Sequence, residues 1–146
     1  QKTVERYIDL MEKSFLIFRL PPFSRNKRKE ISKLNKVYFY DLGIRNAVIN
    51  NFNLIEDRND FGALWENFLI SERLKYRAYH DIFGAQYFWR TYDGTEVDLV
   101  EEIGTKIDGY EFKWSDKARK KPPVAWTSYA PDYKLITKSD LAGFII

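Results

Sequence analysis

The sequence contains no cysteine and a single histidine, and these absences exclude several kinds of site. Without thiols the chain can form neither disulfides nor thiolate metal centres, and nothing in it points to an oxidising compartment. We therefore expect a cytoplasmic protein. The one histidine, His80, falls in a predicted loop after a long helix, and we assign it no catalytic role.

Long apolar segments are also absent. No run approaches the roughly 20 residues that a membrane-spanning helix requires, so we expect no membrane partner. The first five residues lack the apolar core of a signal peptide. Because the chain begins with Gln1 instead of Met and enters a predicted helix almost at once, we expect it to be a piece of a longer protein.

The 146 residues have the composition of one globular domain with an appendage. Apolar residues make up 45% of the chain and charged residues 31%, a balance that excludes a disordered tail. The 24 basic and 21 acidic residues give a formal charge of +3. A charge of this size tolerates a nucleic acid partner without requiring one.

The first third of the chain predicts a helix, two strands and a second helix. Thr3 can cap the first helix, and Pro21 and Pro22, which cannot donate to a ladder, close the first strand. This order suits the end of a winged helix or a short bridging unit. The predicted helices cover about residues 4–13 and 44–50, and the predicted strands 15–20 and 37–40.

A basic, polar segment separates these two strands. It fits either a hairpin loop or an interdomain segment, and its charges are suited to contact with another module. Its basic residues are Arg25, Lys27, Arg28, Lys29, Lys33 and Lys36.

The rest of the chain predicts an α/β fold with a mixed sheet flanked by helices. The longest helical pattern covers about residues 61–79, and its apolar side should pack against the sheet. Asp93-Gly94 and Ile103-Gly104 are hairpin signals between strands. The predicted strands are 86–91, 96–101, 106–114 and 133–137, and a short helix is predicted at 124–129.

The second of these hairpins brings three ionisable residues together. With its two-residue loop, Asp98 faces Gly109, which leaves space for a ligand. Because side chains alternate along strands, Asp98, Glu111 and Lys113 share one sheet face for any even loop length. The opposite face then receives the apolar residues Val97, Leu99, Tyr110 and Phe112.

The shared face predicts a metal site. Neighbouring carboxylates on a half-buried strand cost free energy unless a cation or a proton neutralises them. A hard ion such as Mg²⁺ does so, and it offers a phosphodiester a Lewis acid, a more acidic water and a template for in-line attack. We predict Asp98 and Glu111 as ligands of Mg²⁺ or Mn²⁺, and Lys113 as a charge beside the developing phosphorane.

These residues also form a motif that resembles a known superfamily. The segment from Thr95 to Val100, followed by Glu111-Phe112-Lys113, resembles the D…ExK core of the PD-(D/E)XK, or restriction-endonuclease-like, nucleases. The resemblance implies a restriction-endonuclease-like sheet with Asp98, Glu111 and Lys113 as catalytic residues. In that superfamily an acidic residue on the helix before the strands often completes the site. Glu66 stands at the matching position, as a further metal ligand.

A narrower resemblance covers most of the chain. It is similar to the uncharacterised C-terminal domain attached to many prokaryotic AAA-type ATPases, which implies an N-terminal ATPase module in the same protein. Residues 1–36 would be the end of a winged-helix connector and residues 37–146 the nuclease-like domain. ATP would bind only in the missing module, because this chain has no GxxxxGK loop. The matching motifs are Lys36 to Asn46, Trp65-Glu66-Asn67 and Trp89-Arg90-Thr91.

Two alternatives to a nuclease stay open. Asp98, Glu111 and Lys113 also suit a solvated cross-strand salt bridge. The domain would then be a non-catalytic recognition module of the ATPase. Alternatively it would mediate homo-oligomer formation, since ATPases often act as oligomers.

Basic residues near the proposed site are the candidates for DNA contact. Arg90 either contacts phosphate or pairs with Glu96 or Asp93. A basic run follows Lys113, where phosphate contacts would be useful, although such runs are commonly solvated loops. The candidate contact residues are Arg90, Lys117, Arg119, Lys120 and Lys121.

Overall fold

The protein begins with a helix that packs beside a small two-stranded sheet. The structure, a computed structural model, describes residues 2–24, 35–119, 121–130 and 132–146. Helix α1 (Lys2–Lys13) precedes strands β1 (Ile17–Leu20) and β2 (Lys36–Phe39), which pair antiparallel. The basic segment of the sequence connects these two strands. Five of the segment's basic residues lie outside the described residues: Arg25, Lys27, Arg28, Lys29 and Lys33.

Two further helices connect this small sheet to the main one. Helix α2 (Leu42–Val48) is capped by Asp41, whose side chain accepts from the Ile44 amide at 2.9 Å. Helix α3 (Phe61–Tyr79) carries Asn67, which donates to and accepts from the backbone of Phe39. These two hydrogen bonds hold the first half of α3 against the end of β2.

The main sheet has four strands in their order along the chain. Its first three strands are antiparallel and its last two are parallel, with a crossover through a short helix. The α/β fold predicted from the sequence, a mixed sheet with helices on both faces, is therefore confirmed. The elements are β3 (Ala85–Arg90), β4 (Glu96–Ile103), β5 (Lys106–Phe112), α4 (Val124–Thr127), β6 (Asp132–Ile136) and α5 (Leu141–Ile145).

Apolar layers cover both faces of this sheet. On one face Leu99 and Phe112 pack against Leu69 of α3 and Phe144 of α5; we call this the α3 side. The other face, the Trp126 side, buries further apolar residues, among them Trp89, Val97, Val100, Ile107 and Trp126. Among the described residues, no helix is both long and apolar enough to cross a membrane.

The β4–β5 hairpin differs from the prediction in its register. The loop is Gly104-Thr105, with Gly104 at φ 61°, and Ile103 pairs with Lys106. The predicted loop, one residue earlier, is wrong. The observed loop also has two residues, but every pair shifts by two positions.

Gly109 therefore does not face Asp98, and it does not leave space for a ligand. It pairs with Val100, and the ring of Trp126 packs onto it so closely that an added Cβ would lie 2.8 Å from the indole. Packing on the Trp126 side accounts for the position of this glycine, and pairing rules alone could not reveal that constraint.

A β-bulge in β4 breaks the predicted alternation of side chains. Tyr87 pairs with Val100 but Trp89 pairs with Val97, so two residues of β4 lie opposite one residue of β3. Val97 and Val100 consequently both pack on the Trp126 side. The prediction that Val97 shares a face with Leu99 is wrong, because the bulge inserts an extra residue between them.

Candidate metal centre

Three carboxylates from two elements meet at the start of β4. Glu66 lies in the second turn of α3, and Glu96 and Asp98 lie at the first and third positions of β4. Each offers an oxygen, and these oxygens lie within 4.8 Å of one another. All three residues are partly buried. The described residues contain no other acidic group of this kind that could hold a metal ion.

The bulge determines where Asp98 lies. With the extra residue in β4, Asp98 lies on the α3 side with Glu66, two residues after Glu96. Its Oδ2 accepts a hydrogen bond of 2.8 Å from the Phe112 amide, beyond the last ladder pair of β4 and β5. The Phe112 amide thus donates to the Asp98 carboxylate, whereas in a regular ladder it would be available to a backbone carbonyl of the neighbouring strand.

The surroundings of Asp98 contain excess negative charge. Burial raises its pKa to about 7, and the charges of Glu66 and Glu111 contribute in the same direction. The Phe112 amide and the Lys36 ammonium lower the pKa but do not offset these effects. Near neutral pH this carboxyl group is therefore partly protonated.

Two residues of β2 contact Glu66. The Lys36 Nζ lies 3.0 Å from Glu66 Oε1 and also pairs with Glu96 Oε1. The Tyr38 hydroxyl donates to Glu66 Oε1 at 2.5 Å. Burial disfavours the charged form of Lys36, but Glu66 and Glu96 outweigh it and raise the Lys36 pKa. Burial and the charge of Glu66 raise the pKa of Tyr38.

Glu111 and Lys113 form a separate ion pair beside this cluster. The Lys113 Nζ lies 2.9 Å from Glu111 Oε1; Glu111 is buried, whereas Lys113 is about half exposed. Burial lowers the pKa of Lys113, but its hydrogen bond with Glu111 and the charges of Asp98 and Glu66 raise it overall. Burial raises the pKa of Tyr133, and the charge of Glu111 adds to this rise.

The predicted site residues come together in two groups instead of on one face. Asp98 and Glu66 lie on the α3 side, whereas alternation along β5 puts Glu111 on the Trp126 side with Ile107. The prediction of one shared face is wrong, because the bulge reverses the parity of Asp98 relative to Glu111. The groups nevertheless meet at the end of the β4–β5 ladder, where Glu111 raises the Asp98 pKa.

Three residues of the site were missed in the sequence. The sequence presents Glu96 as part of the motif strand and a partner for Arg90, and Lys36 as part of a basic segment and of the Lys36 to Asn46 motif, but it assigns neither of them to the site. Lys36 and Tyr38 are two apart on a strand, so they share a face, and this spacing was the available signal. Nothing local, however, indicates that this face meets α3, about 30 residues away.

The predicted DNA-contacting residues lie around the cluster and on the following loop. Arg90 is half exposed, with its Nε 3.9 Å from Glu96 Oε2, so the pairing alternative is present in a weak form. Arg119 donates to the carbonyls of Asp116 and Ala118. Lys117 and Lys121 are exposed, and Lys120 lies outside the described residues.

The donor set fits a hard divalent cation. Carboxylate oxygens are the ligands that Mg²⁺ and Mn²⁺ prefer, and thiolate or imidazole ligands are absent from the three-carboxylate group. Glu66, Glu96 and Asp98 are the residues that would hold it. An ion there would neutralise the negative charge that raises the Asp98 pKa.

Comparison with known proteins gives a family but no described activity. The chain is 29% identical over 115 residues to the uncharacterized proteins Rv2008c of Mycobacterium tuberculosis and Mb2031c of Mycobacterium bovis. The match covers 77% of this chain and 25% of each relative, so the chain spans about a quarter of their length. No solved structure gives a significant match.

Two families of unknown function match separate parts of the chain. Residues 1–54 match a domain of unknown function, DUF8612. Residues 61–142, more than half of the chain, match the Domain of unknown function DUF4143. The first segment contains Lys36 and Tyr38, and the second contains all three carboxylates of the candidate centre. The chain belongs to the DUF4143 family.

Proposed function

We propose that the domain is a metal-dependent nuclease of the PD-(D/E)XK type that cleaves phosphodiester bonds in DNA. The observation that carries the proposal is the group of three partly buried carboxylates, Glu66, Glu96 and Asp98, with oxygens within 4.8 Å of one another. Their mutual repulsion creates a demand for positive charge, which Mg²⁺ or Mn²⁺ would meet. The resemblance of the D…ExK motif supports the same chemistry.

The residues around the carboxylates have separate roles in this proposal. A bound cation would supply a Lewis acid for a phosphodiester oxygen and make a water more acidic. Lys113 presents a half-exposed ammonium beside the carboxylates, where it stabilises negative charge on a phosphate. Glu111 holds that ammonium in place by its 2.9 Å contact. The exposed cations Arg90, Lys117 and Lys121 contact neighbouring phosphates of the substrate.

The ion pairs of Lys36 also favour a second candidate function, in which the domain is a non-catalytic recognition module. Its ammonium already pairs with two of the three carboxylates, as it would in a structural ion-pair network. In that case the cluster stabilises the fold, and the surrounding cations bind nucleic acid or protein without cleavage.

The partner of the domain follows from the narrower resemblance. We propose that it works with an AAA-type ATPase module of the same protein, in the cytoplasm, with ATP bound only in that module. The curated relatives leave room for such a module, since the match covers 25% of their length. Light scattering on the full-length protein tests the accompanying expectation of a homo-oligomer.

A cleavage assay tests the nuclease proposal. Purified domain is incubated with supercoiled plasmid or single-stranded oligonucleotide and Mn²⁺ or Mg²⁺. We expect cleavage that EDTA stops and that Asp98→Asn reduces at least about 100-fold, because one ligand charge is lost. The asparagine keeps an acceptor for the Phe112 amide. Glu72→Gln, which removes an α3 carboxylate outside the centre, is the matched control. Equal cleavage by Asp98→Asn would refute the assignment, and metal-independent DNA binding without cleavage would favour the recognition module.

A further inference from the structure

Lys36 lies where a metal ion would compete with it. Its Nζ contacts Glu66 Oε1 at 3.0 Å and pairs with Glu96 Oε1, so it serves two of the three carboxylates of the candidate centre. A divalent cation coordinates such oxygens at about 2.0–2.6 Å. An ammonium and a divalent cation in the same small cluster repel each other strongly. The two cations therefore compete for the same carboxylates.

The geometry of Lys36 allows it to leave. It is the first residue of β2, its ammonium lies over the ring of Phe88 at 5.3 Å from the ring centroid, and about a quarter of its side chain is exposed. A lysine side chain has a flexible four-carbon stem, so the ammonium can move toward solvent without movement of the backbone. Tyr38 keeps its own hydrogen bond to Glu66 in either case.

The lysine and the carboxylates come from different parts of the chain. Lys36 lies in the segment 1–54, which matches one family, and the carboxylates lie in the segment 61–142, which matches another. Lys36 is held by the pairing of β2 with β1, where it lies opposite Leu20. The packing of β2 against α3 brings this ammonium to the carboxylates.

We propose that Lys36 is a built-in counter-ion that a divalent cation must displace from the carboxylates of the centre. The proposal rests on the proposed function, in that it takes the three carboxylates as a metal centre. It assigns Lys36 a positioning role in the metal-free protein and no contact with substrate.

Calorimetric titration with Mn²⁺ alone tests this proposal. Lys36→Met removes the charge but keeps the length of the stem, and we expect it to bind Mn²⁺ at least about tenfold more tightly than the wild-type protein. Lys75→Met, which removes a lysine paired with Glu72 on α3, should bind as the wild type does. Lys36→Gln repeats the test with a side chain that still donates to Glu66, in case the methionine variant does not fold. Equal or weaker binding by both Lys36 variants would overturn the proposal.

A measurement on the wild-type protein gives an independent readout. In protein labelled with ¹⁵N at lysine, the Nζ signal of Lys36 should shift toward that of a solvated lysine as Mg²⁺ is added. An unchanged signal at saturating Mg²⁺ would overturn the displacement.

The outcomes separate this proposal from the nuclease function. Tighter binding by Lys36→Met with no DNA cleavage by any variant supports displacement and refutes the nuclease. Mn²⁺-dependent cleavage by the wild type, with no gain in affinity for Lys36→Met, refutes displacement and leaves the nuclease in place. Absence of Mn²⁺ binding by both wild type and Lys36→Met refutes both.

Discussion

Strand β4 carries two carboxylates three residues apart whose surroundings are opposite in charge. Glu101 is almost fully buried and accepts from Arg73 at 2.8 and 3.1 Å, from Gln86 at 2.9 Å and from Arg77 at 3.4 Å. Asp98 has carboxylates as its nearest charged neighbours, and its pKa rises to about 7. One charge is neutralised within the fold and the other is not.

This difference separates a structural carboxylate from a functional one. Both side chains lie on the α3 side, although a spacing of three would place them on opposite faces of a regular strand. The bulge at Asp98 accounts for the exception. A protein gains nothing in stability from an unneutralised cluster, so the Asp98 group is the better candidate for ligand binding.

The largest effect is expected from replacing Glu101, the carboxylate whose charge is neutralised within the fold. Glu101→Gln should destabilise the protein by about 3–5 kcal/mol, because it leaves the buried charges of Arg73 and Arg77 without their partner. Urea unfolding followed by circular dichroism measures the change. Glu72→Gln removes an exposed ion-pair partner and should cost less than about 1 kcal/mol. A loss below 1 kcal/mol for Glu101→Gln would contradict the structural role.

A stabilising effect is expected at the other carboxylate. The folded-state pKa of Asp98, about 7, exceeds its usual value, so the folded protein binds more protons than the unfolded chain between about pH 4 and 7. The metal-free protein therefore loses stability as the pH rises through that range. Asp98→Asn should be more stable than wild type by about 1–3 kcal/mol at pH 8 in EDTA.

The pH dependence provides the control for this prediction. The gain from Asp98→Asn should nearly vanish near pH 4, where aspartate is protonated in the folded state and about half protonated in the unfolded state. Unfolding curves at pH 4, 6 and 8 measure it. A variant less stable than wild type at pH 8 would show that Asp98 contributes to folding as Glu101 does.

Metal affinity should depend on the same proton. Because a cation must replace the proton on Asp98, Mn²⁺ affinity should fall about fivefold from pH 7 to pH 6, and it should level off above pH 8. Calorimetry at several pH values measures this slope. Affinity that does not change between pH 6 and 8 would remove Asp98 from the set of ligands.

The smallest effect is expected at Arg90, an exposed residue beside the carboxylate cluster. Arg90→Gln removes a half-exposed cation 3.9 Å from Glu96 and should change stability by less than about 0.5 kcal/mol. If Arg90 contacts phosphate, the slope of log affinity for DNA against log salt should decrease in magnitude by about 1. Fluorescence anisotropy with labelled DNA measures this slope. An unchanged slope would leave Arg90 as a partner of Glu96 alone.

Much of the fold followed from local patterns in the sequence. The helical periodicity predicted α3 at its observed ends, Phe61 and Tyr79, and each strand of the main sheet lies within two residues of its predicted bounds. Local patterns suffice here because apolar periodicity and turn residues report the face that each element buries. The C-terminal helix α5 was not predicted, since its five residues form too short a pattern.

The sequence by itself determined that an acidic strand, an ExK motif and a glutamate on the preceding helix occur in this chain. Only the tertiary structure decided how they meet. The bulge in β4 separates Asp98 from Glu111 and places it with Glu66 and Glu96. Lys36 reaches the cluster because β2 packs on α3, a contact between residues 30 apart that no local periodicity encodes.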